Sequence, residues 1–314
     1  MLRVLMFLFS LSLPWALFSG GARESDGELP GRNAPAAAVT GEYPRTITDG
    51  AGKTVTLEAP ARRIVSLGPN ITETVFALGR GELLAGRTDW CDYPPEAAAL
   101  PSVGTLQDPS IETILAREPD LVIGSTHAPM EVMARLDQAG IPTAALFGEE
   151  SFQGVFQVIS WVAELTDARE EGRVLSADIR SRLDAVEARV ASLDSRPRVY
   201  FVVGFGEGGD WTAGGDTFIH SMITLAGGEN IAASLSGWSY SLEKLVEEDP
   251  DMILLNRGLK APFCAAPVYS ELRAVREGRV YEVDENLIVR QGPRLIQGVE
   301  LMNRLFSGGG ESLP

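Results

Sequence analysis

Two glutamates stand at matched positions in two similar stretches of the sequence. The stretches are DPSIETILAREPDLVIGS (residues 108–125) and SLEKLVEEDPDMILLN (residues 241–256), and Glu112 and Glu243 lie 131 residues apart (243 − 112). The serine two residues before each glutamate is a favourable helix N-cap, and a carboxylate in the first turn suits the helix dipole. Capping alone is therefore one explanation. Helix capping does not require glutamate in both stretches. The other explanation is that the two glutamates form a pair of acidic contacts with a partner.

Aromatic residues on loops of both halves are candidates for ligand contact. Trp90 and Tyr93 follow a strand-like segment, LLAGR, and Trp238 and Tyr240 come just before the second glutamate stretch. Loops at the carboxyl ends of parallel strands are where open α/β folds bind their ligands. Aromatic rings from two sides can enclose a flat or apolar ligand, although each ring could instead pack beneath its own loop.

The segment GFGEGG, residues 204–209, formally matches a dinucleotide fingerprint. That motif requires a helix to begin at once over the phosphates, whereas here Asp-Trp-Thr and two further glycines follow. The sequence therefore does not predict nucleotide binding. It favours a flexible loop at the cleft that offers Phe205 and Trp211.

His127 and Arg290 are the remaining candidates for polar ligand contact. His127 follows the strand-like DLVIGS and is either a hydrogen-bonding rim residue or a ligand to a metal held in a chelate. Arg290, which we place after a strand, could bind a carboxylate or phosphate through two hydrogen bonds, or form a surface salt bridge.

Alternating strand-like and helix-like segments must position these residues. Strands such as RRIVSLG and DMILLN alternate with helices such as ITETVFALG, a pattern typical of parallel sheets flanked by helices. Helical spacing dominates residues 152–193, with a break near Thr166. We predict an α/β protein of two doubly wound lobes, residues 43–160 and 196–314, joined by one long helix within residues 161–195.

The N-terminal segment reads as a targeting sequence. Arg3 precedes an apolar run of about 15 residues and then SGGA, which predicts a signal peptide over residues 1–21. Residues 22–42 are rich in Pro, Gly and Ala and predict a flexible tether. They hold no cysteine, so a lipoprotein anchor is not predicted. We expect a periplasmic or extracytoplasmic protein.

The amino-acid composition limits the classes of partner that this protein is expected to bind. The formal net charge of −16 and pI of about 4.6 argue against nucleic acid and anionic membrane surfaces. Two histidines are few for a bare zinc or manganese site, so no resident metal or cofactor is expected. Cys91 and Cys264 form no Cys-x-x-Cys motif and leave a disulfide or two free thiols open.

The combined motifs resemble a known family. RIVSLGPNITETVFALG, RTDWCDYPPEA, VGTLQDPSIETILAREPDLVIGS and SLEKLVEEDPDMILL are similar to segments of the periplasmic substrate-binding proteins of ABC importers for iron chelates, haem and cobalamin. The similarity runs over about residues 62–306. It implies two α/β lobes bridged by a rigid helix, a ligand cleft between the lobes, and no catalytic activity.

The resemblance also implies a role for the matched glutamates. In this family a glutamate on each lobe docks into arginine pockets of the permease dimer in the inner membrane, and the matching residues are Glu112 and Glu243. A symmetric partner presents the same pocket twice, so a carrier needs the same contact twice. The carrier itself is expected to be a monomer.

Ligand identity stays open at this point. DWCDYPPEA most resembles the cobalamin-binding branch, with Trp90 and Trp238 at aromatic positions and Arg290 at an arginine position. Leu106, Ser125 and Asn286 replace two tryptophans and an aspartate of the best-known cobalamin binder. Cobalamin, a ferric siderophore and haem all remain candidate chelates. The rival hypotheses are an enzyme or chelatase acting on such a chelate, and a carrier of bare metal ions.

Overall fold

The computed structural model describes residues 42–206 and 208–309. The predicted signal peptide and all but the last residue of the predicted tether lie outside the described residues.

The N-terminal lobe is built around a parallel sheet. Strands β3 and β5 are buried at every residue, as expected when both faces of a parallel sheet are covered. A small antiparallel hairpin, β1–β2, precedes the sheet, whose strand order is β4-β3-β5-β6. The elements are β1 (Arg45–Thr48), β2 (Thr54–Leu57), β3 (Ile64–Leu67), α1 (Pro69–Ala77), β4 (Leu84–Arg87), α2 (Pro95–Ala98), α3 (Ile111–Leu115), β5 (Leu121–Gly124), α4 (Met130–Gln138) and β6 (Thr143–Ala145).

Two helices follow: α5 (Phe152–Leu165) and α6 (Arg169–Ala191). The predicted break near Thr166 is confirmed, because Asp167 adopts a left-handed conformation with φ 55° between the helices. The long helix α6 begins after this break and lies within the predicted segment, residues 161–195. Its 23 residues span about 35 Å at 1.5 Å per residue.

Helix α6 contacts both lobes. On the N-terminal side Gly172 packs against α5 so closely that an added Cβ would lie 2.6 Å from the Ala163 Cβ. On the other side Arg182 binds Glu300 through two hydrogen bonds of 2.9 and 2.7 Å, and Arg189 donates to Asn303. Glu300 and Asn303 belong to the last helix of the described residues, Leu295–Phe306, so α6 connects the two lobes.

The C-terminal lobe repeats the sheet of the first. Its elements are β7 (Arg198–Val202), β8 (Asp210–Trp211), α7 (Phe218–Leu225), β9 (Glu229–Asn230), β10 (Ser239–Tyr240), α8 (Leu242–Glu248), β11 (Met252–Asn256), α9 (Lys260–Ala265), α10 (Arg273–Arg276), β12 (Val280–Val283), α11 (Asn286–Val289) and α12 (Leu295–Phe306). Both parallel sheets have the same strand order when their strands are numbered along the chain. That order is 2-1-3-4, which is β4-β3-β5-β6 in the N-terminal lobe and β9-β7-β11-β12 in the C-terminal lobe. Helices α3 and α8 precede the third strand of their respective sheets.

One buried apolar cluster continues from lobe to lobe. It includes Ile71 of α1, Ile159 of α5, Ile179 of α6, Ile223 of α7 and Met302 of α12. The α/β architecture with two mainly parallel sheets is confirmed. One local prediction is wrong: the segment before Arg290 forms the short helix α11 and not a strand.

Candidate ligand cleft and docking surface

A cavity of about 490 Å³ lies between the two lobes. Its walls come from segments that follow strands: Asn70 after β3, Ser125 and His127 after β5, and Asn286 and Arg290 after β12. The cavity therefore lies at the carboxyl ends of both sheets, the usual ligand position in α/β folds. Its volume is within the range of small-molecule sites.

Two exposed tryptophans line the cavity from opposite lobes. Trp90 has 58% of its surface exposed and Trp238 has 45%, although tryptophan normally buries most of its ring. Leu106, Ile219 and Val289 add apolar surface to the same cavity. A large apolar ligand surface would find complementary contacts here.

Four charged side chains cross between the lobes beside the cavity. We call Glu73, Asp92, Arg290 and Arg294 the interlobe cluster. Arg290 donates hydrogen bonds to Glu73 (3.0 Å), to Asp92 (2.6 Å) and to the Trp90 carbonyl (3.1 Å). Arg294 binds both oxygens of Glu73 at 2.7 and 2.8 Å. Two cations from the C-terminal lobe thus neutralise two anions from the other lobe.

Burial strengthens the charge interactions within the interlobe cluster. The side chains of Glu73 and Arg290 are only 2% and 9% exposed, so their charges interact in a poorly hydrated environment. Partial burial acts to raise the pKa of Asp92, but the hydrogen bond and charge of Arg290 prevail and hold that pKa below its usual value. Arg290 is therefore bound to two protein carboxylates, those of Glu73 and Asp92.

Glu112 and Glu243 are exposed at the starts of α3 and α8. The predicted serine caps are confirmed, because the Thr113 and Lys244 amides donate to Ser110 and Ser241 respectively. Ser241 also donates to Glu243 at 2.6 Å, which lowers the pKa of that carboxyl. Glu243 is thus held ionised at neutral pH.

Both helix starts are connected to the carboxyl edge of their own sheet. The Ser110 amide donates to Val103, whose own amide donates to Arg87 at the end of β4. In the other lobe β10 leads directly into α8 and pairs with β8, which bridges to Gly204 just past the end of β7. These are the edges that border the cavity.

Residues 64–287 match the family described as periplasmic binding proteins. The chain belongs to this family. It is a family of binding proteins of ABC transporters and not of enzymes, so the enzyme hypothesis is wrong and the substrate-binding hypothesis is confirmed. Within the described part of the chain, every helix is too short or too polar to span a bilayer.

Three relatives illustrate the range of this family. The chain is 32% identical over 276 residues to an uncharacterised ABC transporter substrate-binding lipoprotein, YvrC, of Bacillus subtilis, covering 86% of this chain and 87% of the relative. It is 29% identical over 278 residues to a cobalamin-binding protein of Halobacterium salinarum, covering 84% and 74%. The solved apo structure of the periplasmic haem-binding protein RhuT from Roseiflexus sp. RS-1 is 30% identical, with a TM-score of 0.72 and coverage of 80% and 100%.

Four of the eight predicted ligand contacts of this periplasmic binding protein line the cavity: Trp90, His127, Trp238 and Arg290. The positions of Leu106, Ser125 and Asn286, where the chain departs from the cobalamin branch, line it too. These roles in ligand binding stay predictions.

The other four, Tyr93, Phe205, Trp211 and Tyr240, are not among the residues that line the cavity, and three of them are held by other side chains. Tyr240 is buried against Tyr200, with 5.4 Å between ring centroids, and this burial raises the Tyr240 pKa to about 12. Phe205 packs edge-on against Phe263 and Tyr269, at 5.0 and 5.4 Å.

Tyr93 lies under the Arg294 guanidinium, 3.7 Å from the ring centroid to Cζ. Trp211 is 45% exposed on β8, next to a loop that leads into a strand and not into a helix. These four side chains therefore lie outside the cavity lining, and the ligand contacts predicted for them are untested.

Sequence reasoning missed most of the interlobe cluster. Glu73 was the available signal, because it is the one charged residue of α1 and lies between the apolar residues Ile71 and Val75. Its arginine partners are more than 200 residues away along the chain, and no local pattern connects them. Cys91 and Cys264 are both free thiols. Within the described residues no group of three or more His, Cys, Asp or Glu side chains could hold a metal ion.

Proposed function

We propose that this periplasmic binding protein captures a metal chelate in the interlobe cavity and delivers it to a cognate ABC permease. The chelate is a corrinoid, haem or a ferric siderophore. The observation that carries this proposal is the pair of exposed tryptophans that face one cavity from two lobes. Such rings suit a broad ligand with an apolar or conjugated surface better than a hydrated ion.

The polar residues of the cavity support a chelate with anionic or metal-binding groups. Arg290 lines the cavity and can give a hydrogen bond to a ligand carboxylate in place of the one it gives to Asp92. His127 lines the same cavity and offers an imidazole nitrogen to a coordinated metal. The names of two relatives, a cobalamin-binding and a haem-binding protein, are consistent with this ligand class.

Delivery requires contact with the permease, and Glu112 and Glu243 are the proposed contacts. Both carboxylates are exposed, and both begin a helix at the cavity edge of its sheet. A permease with two matching subunits would receive one glutamate in each arginine pocket. The carrier acts as a monomer, exported by the leader in residues 1–21.

Ligand titration of the purified protein tests the proposal. Cyanocobalamin, haemin and a panel of ferric siderophores are added while absorbance and tryptophan fluorescence are recorded. We expect one class to bind, and expect Trp90→Ala and Trp238→Ala each to weaken binding about tenfold, since each truncation removes a large aromatic contact.

Trp211→Ala is the matched control, because Trp211 is as exposed as Trp238 but is not among the residues that line the cavity. Its affinity should equal that of the wild type. Binding of free Zn²⁺ or Mn²⁺ with no binding of any chelate would show that the proposed ligand class is wrong.

A further inference from the structure

The two glutamate stretches match in three dimensions, position by position. We call residues 110–119 and 241–250 the two contact units. Ile114 and Leu245 are both fully buried at equivalent positions. Glu118 and Asp249, also equivalent, both have a positive φ, 48° and 38°. From the serine to the proline, equivalent residues of the two units are alike in being buried, partly buried or exposed, except for Glu118 and Asp249.

Each contact unit also exposes one aliphatic side chain. Leu115 is 39% exposed and Val246 is 49% exposed, and they occupy the same position, three residues after the glutamate. Residues three apart lie on the same face of a helix. Each carboxylate therefore has an exposed aliphatic neighbour one turn away on its own helix.

The neighbouring solvent-facing positions behave differently. Thr113 corresponds to Lys244, and Ala116 corresponds to Glu247, so at these positions the two units differ in size and charge. Single exposed aliphatic residues are ordinary on protein surfaces. Retention of both the glutamate and the aliphatic side chain, where adjacent positions differ, indicates that these two positions serve the same purpose in both units.

We propose that each docking contact is bipartite, formed by Glu112 with Leu115 in one unit and by Glu243 with Val246 in the other. This inference rests on the proposed function, in which both glutamates dock on the permease. Each permease subunit then presents a cationic side chain with an apolar surface about one helical turn away from it. The aliphatic side chain loses its exposed surface on docking and excludes water from the adjacent ion pair.

Charge identifies a cationic protein surface as the occupant. A lipid surface rich in anionic headgroups would repel the two carboxylates and a chain of net charge −16. A second copy of this chain would bring carboxylates against an equally acidic surface. The doubled arrangement fits a partner that carries the same recess twice.

Polar substitution of the aliphatic pair tests the proposal. The variant carrying Leu115→Gln and Val246→Gln keeps both glutamates and the helix-forming tendency of the two positions. Binding to the cognate permease–ATPase complex in nanodiscs is measured by surface plasmon resonance over a range of salt concentrations. We expect about tenfold weaker binding from the lost apolar burial, with the salt dependence of the wild type.

Three further variants serve as controls for this measurement. Val174→Gln changes an aliphatic residue on α6 that is 54% exposed and lies outside both units, and it should bind like the wild type. Leu115→Met with Val246→Ile keeps both positions apolar and should also bind like the wild type. Glu112→Gln with Glu243→Gln should lose binding and flatten the salt dependence, because it removes the charged part of the contact.

Two results separate this inference from the proposed function. If the glutamine pair at 115 and 246 binds as tightly as the wild type while the glutamate variant fails, the bipartite contact is wrong and glutamate docking stands. If the glutamate variant also binds as tightly as the wild type, the docking function itself is wrong. Equal loss in the apolar Met/Ile variant would also overturn the inference, because it would indicate a steric role for these positions.

Discussion

At the scale of single residues, Glu73 determines how the two lobes meet. Its carboxylate is 2% exposed and receives hydrogen bonds from Arg290 and Arg294 of the opposite lobe. Charges buried in this way are stable only as a complete set, because removal of one partner leaves the others without compensation. The interlobe cluster therefore holds the cleft walls at a defined separation.

Glu73→Gln should reduce the free energy of unfolding by roughly 3 kcal/mol, because two buried arginines would lose their shared carboxylate. The measurement is urea denaturation followed by circular dichroism. Glu170→Gln is the control, since its partner Arg173 is on the exposed surface of α6 and the pair should contribute nothing measurable. An unchanged midpoint for Glu73→Gln would show that the interlobe cluster does not stabilise the fold.

The interlobe cluster also shows where sequence reasoning stops. The glutamates at 112 and 243 were found because a repeated local pattern surrounds each of them. Arg290 was predicted either to bind an anionic ligand or to form a salt bridge, but its partners Glu73 and Asp92 are set by lobe contact and not by spacing. Tyr240 was predicted to face a ligand, yet the pairing of β10 with β8 places its ring in the core.

At the scale of elements, the approach of α5 to α6 depends on Gly172. Glycine within a helix normally costs about 1 kcal/mol relative to alanine. Here an added Cβ would lie 2.6 Å from the Ala163 Cβ, closer than two carbon atoms can approach. The glycine therefore sets how near the long helix lies to the N-terminal lobe.

Gly172→Val should destabilise the protein by about 1–3 kcal/mol, because overpacking at this contact forces the two helices apart. Thermal unfolding by calorimetry gives the measurement. A second variant, Gly172→Ala with Ala163→Gly, moves the methyl group to the other helix and should recover most of the stability. If Gly172→Val were as stable as the wild type, the contact between α5 and α6 would have space for a larger side chain, and the proposed steric role of Gly172 would be wrong.

The alternation of strands and helices was sufficient to predict two parallel-sheet lobes and the break before the long helix. Apolar runs such as LVIG and MILLN, with proline before them, encode buried strands locally. The identical strand order of the two sheets could not be predicted in the same way, because strand neighbours are chosen by packing between distant segments. The short helix α11 was misread because its four residues, NLIV, suit a strand equally well.

At the scale of the whole molecule, the apolar core continues through the helices that lie between the sheets. Ile159, Ile179 and Met302 belong to one buried cluster that includes residues of both lobes. Movement of one lobe against the other would have to disrupt this packing, the Arg182–Glu300 ion pair and the Arg189–Asn303 hydrogen bond between α6 and α12. We therefore expect ligand binding to change loop conformations more than the lobe arrangement.

Small-angle X-ray scattering tests this expectation. The radius of gyration with the tightest-binding chelate should differ from that of the free protein by less than about 1 Å, as in preorganised complexes. The Trp90→Ala, Trp238→Ala double variant with the same chelate controls for scattering from unbound ligand. A contraction of several ångström on binding would show that the lobes move as hinged bodies.

The common strand order and the matched contact units make the two lobes approximate repeats of each other. A permease with true twofold symmetry cannot readily tell such a carrier from the same carrier turned through half a revolution. If both units dock as proposed, the carrier would have two productive poses, which would raise its encounter rate by a statistical factor without any added contact. Thr113 and Ala116 of one unit correspond to Lys244 and Glu247 of the other, so the two poses would place different charges against a given permease subunit.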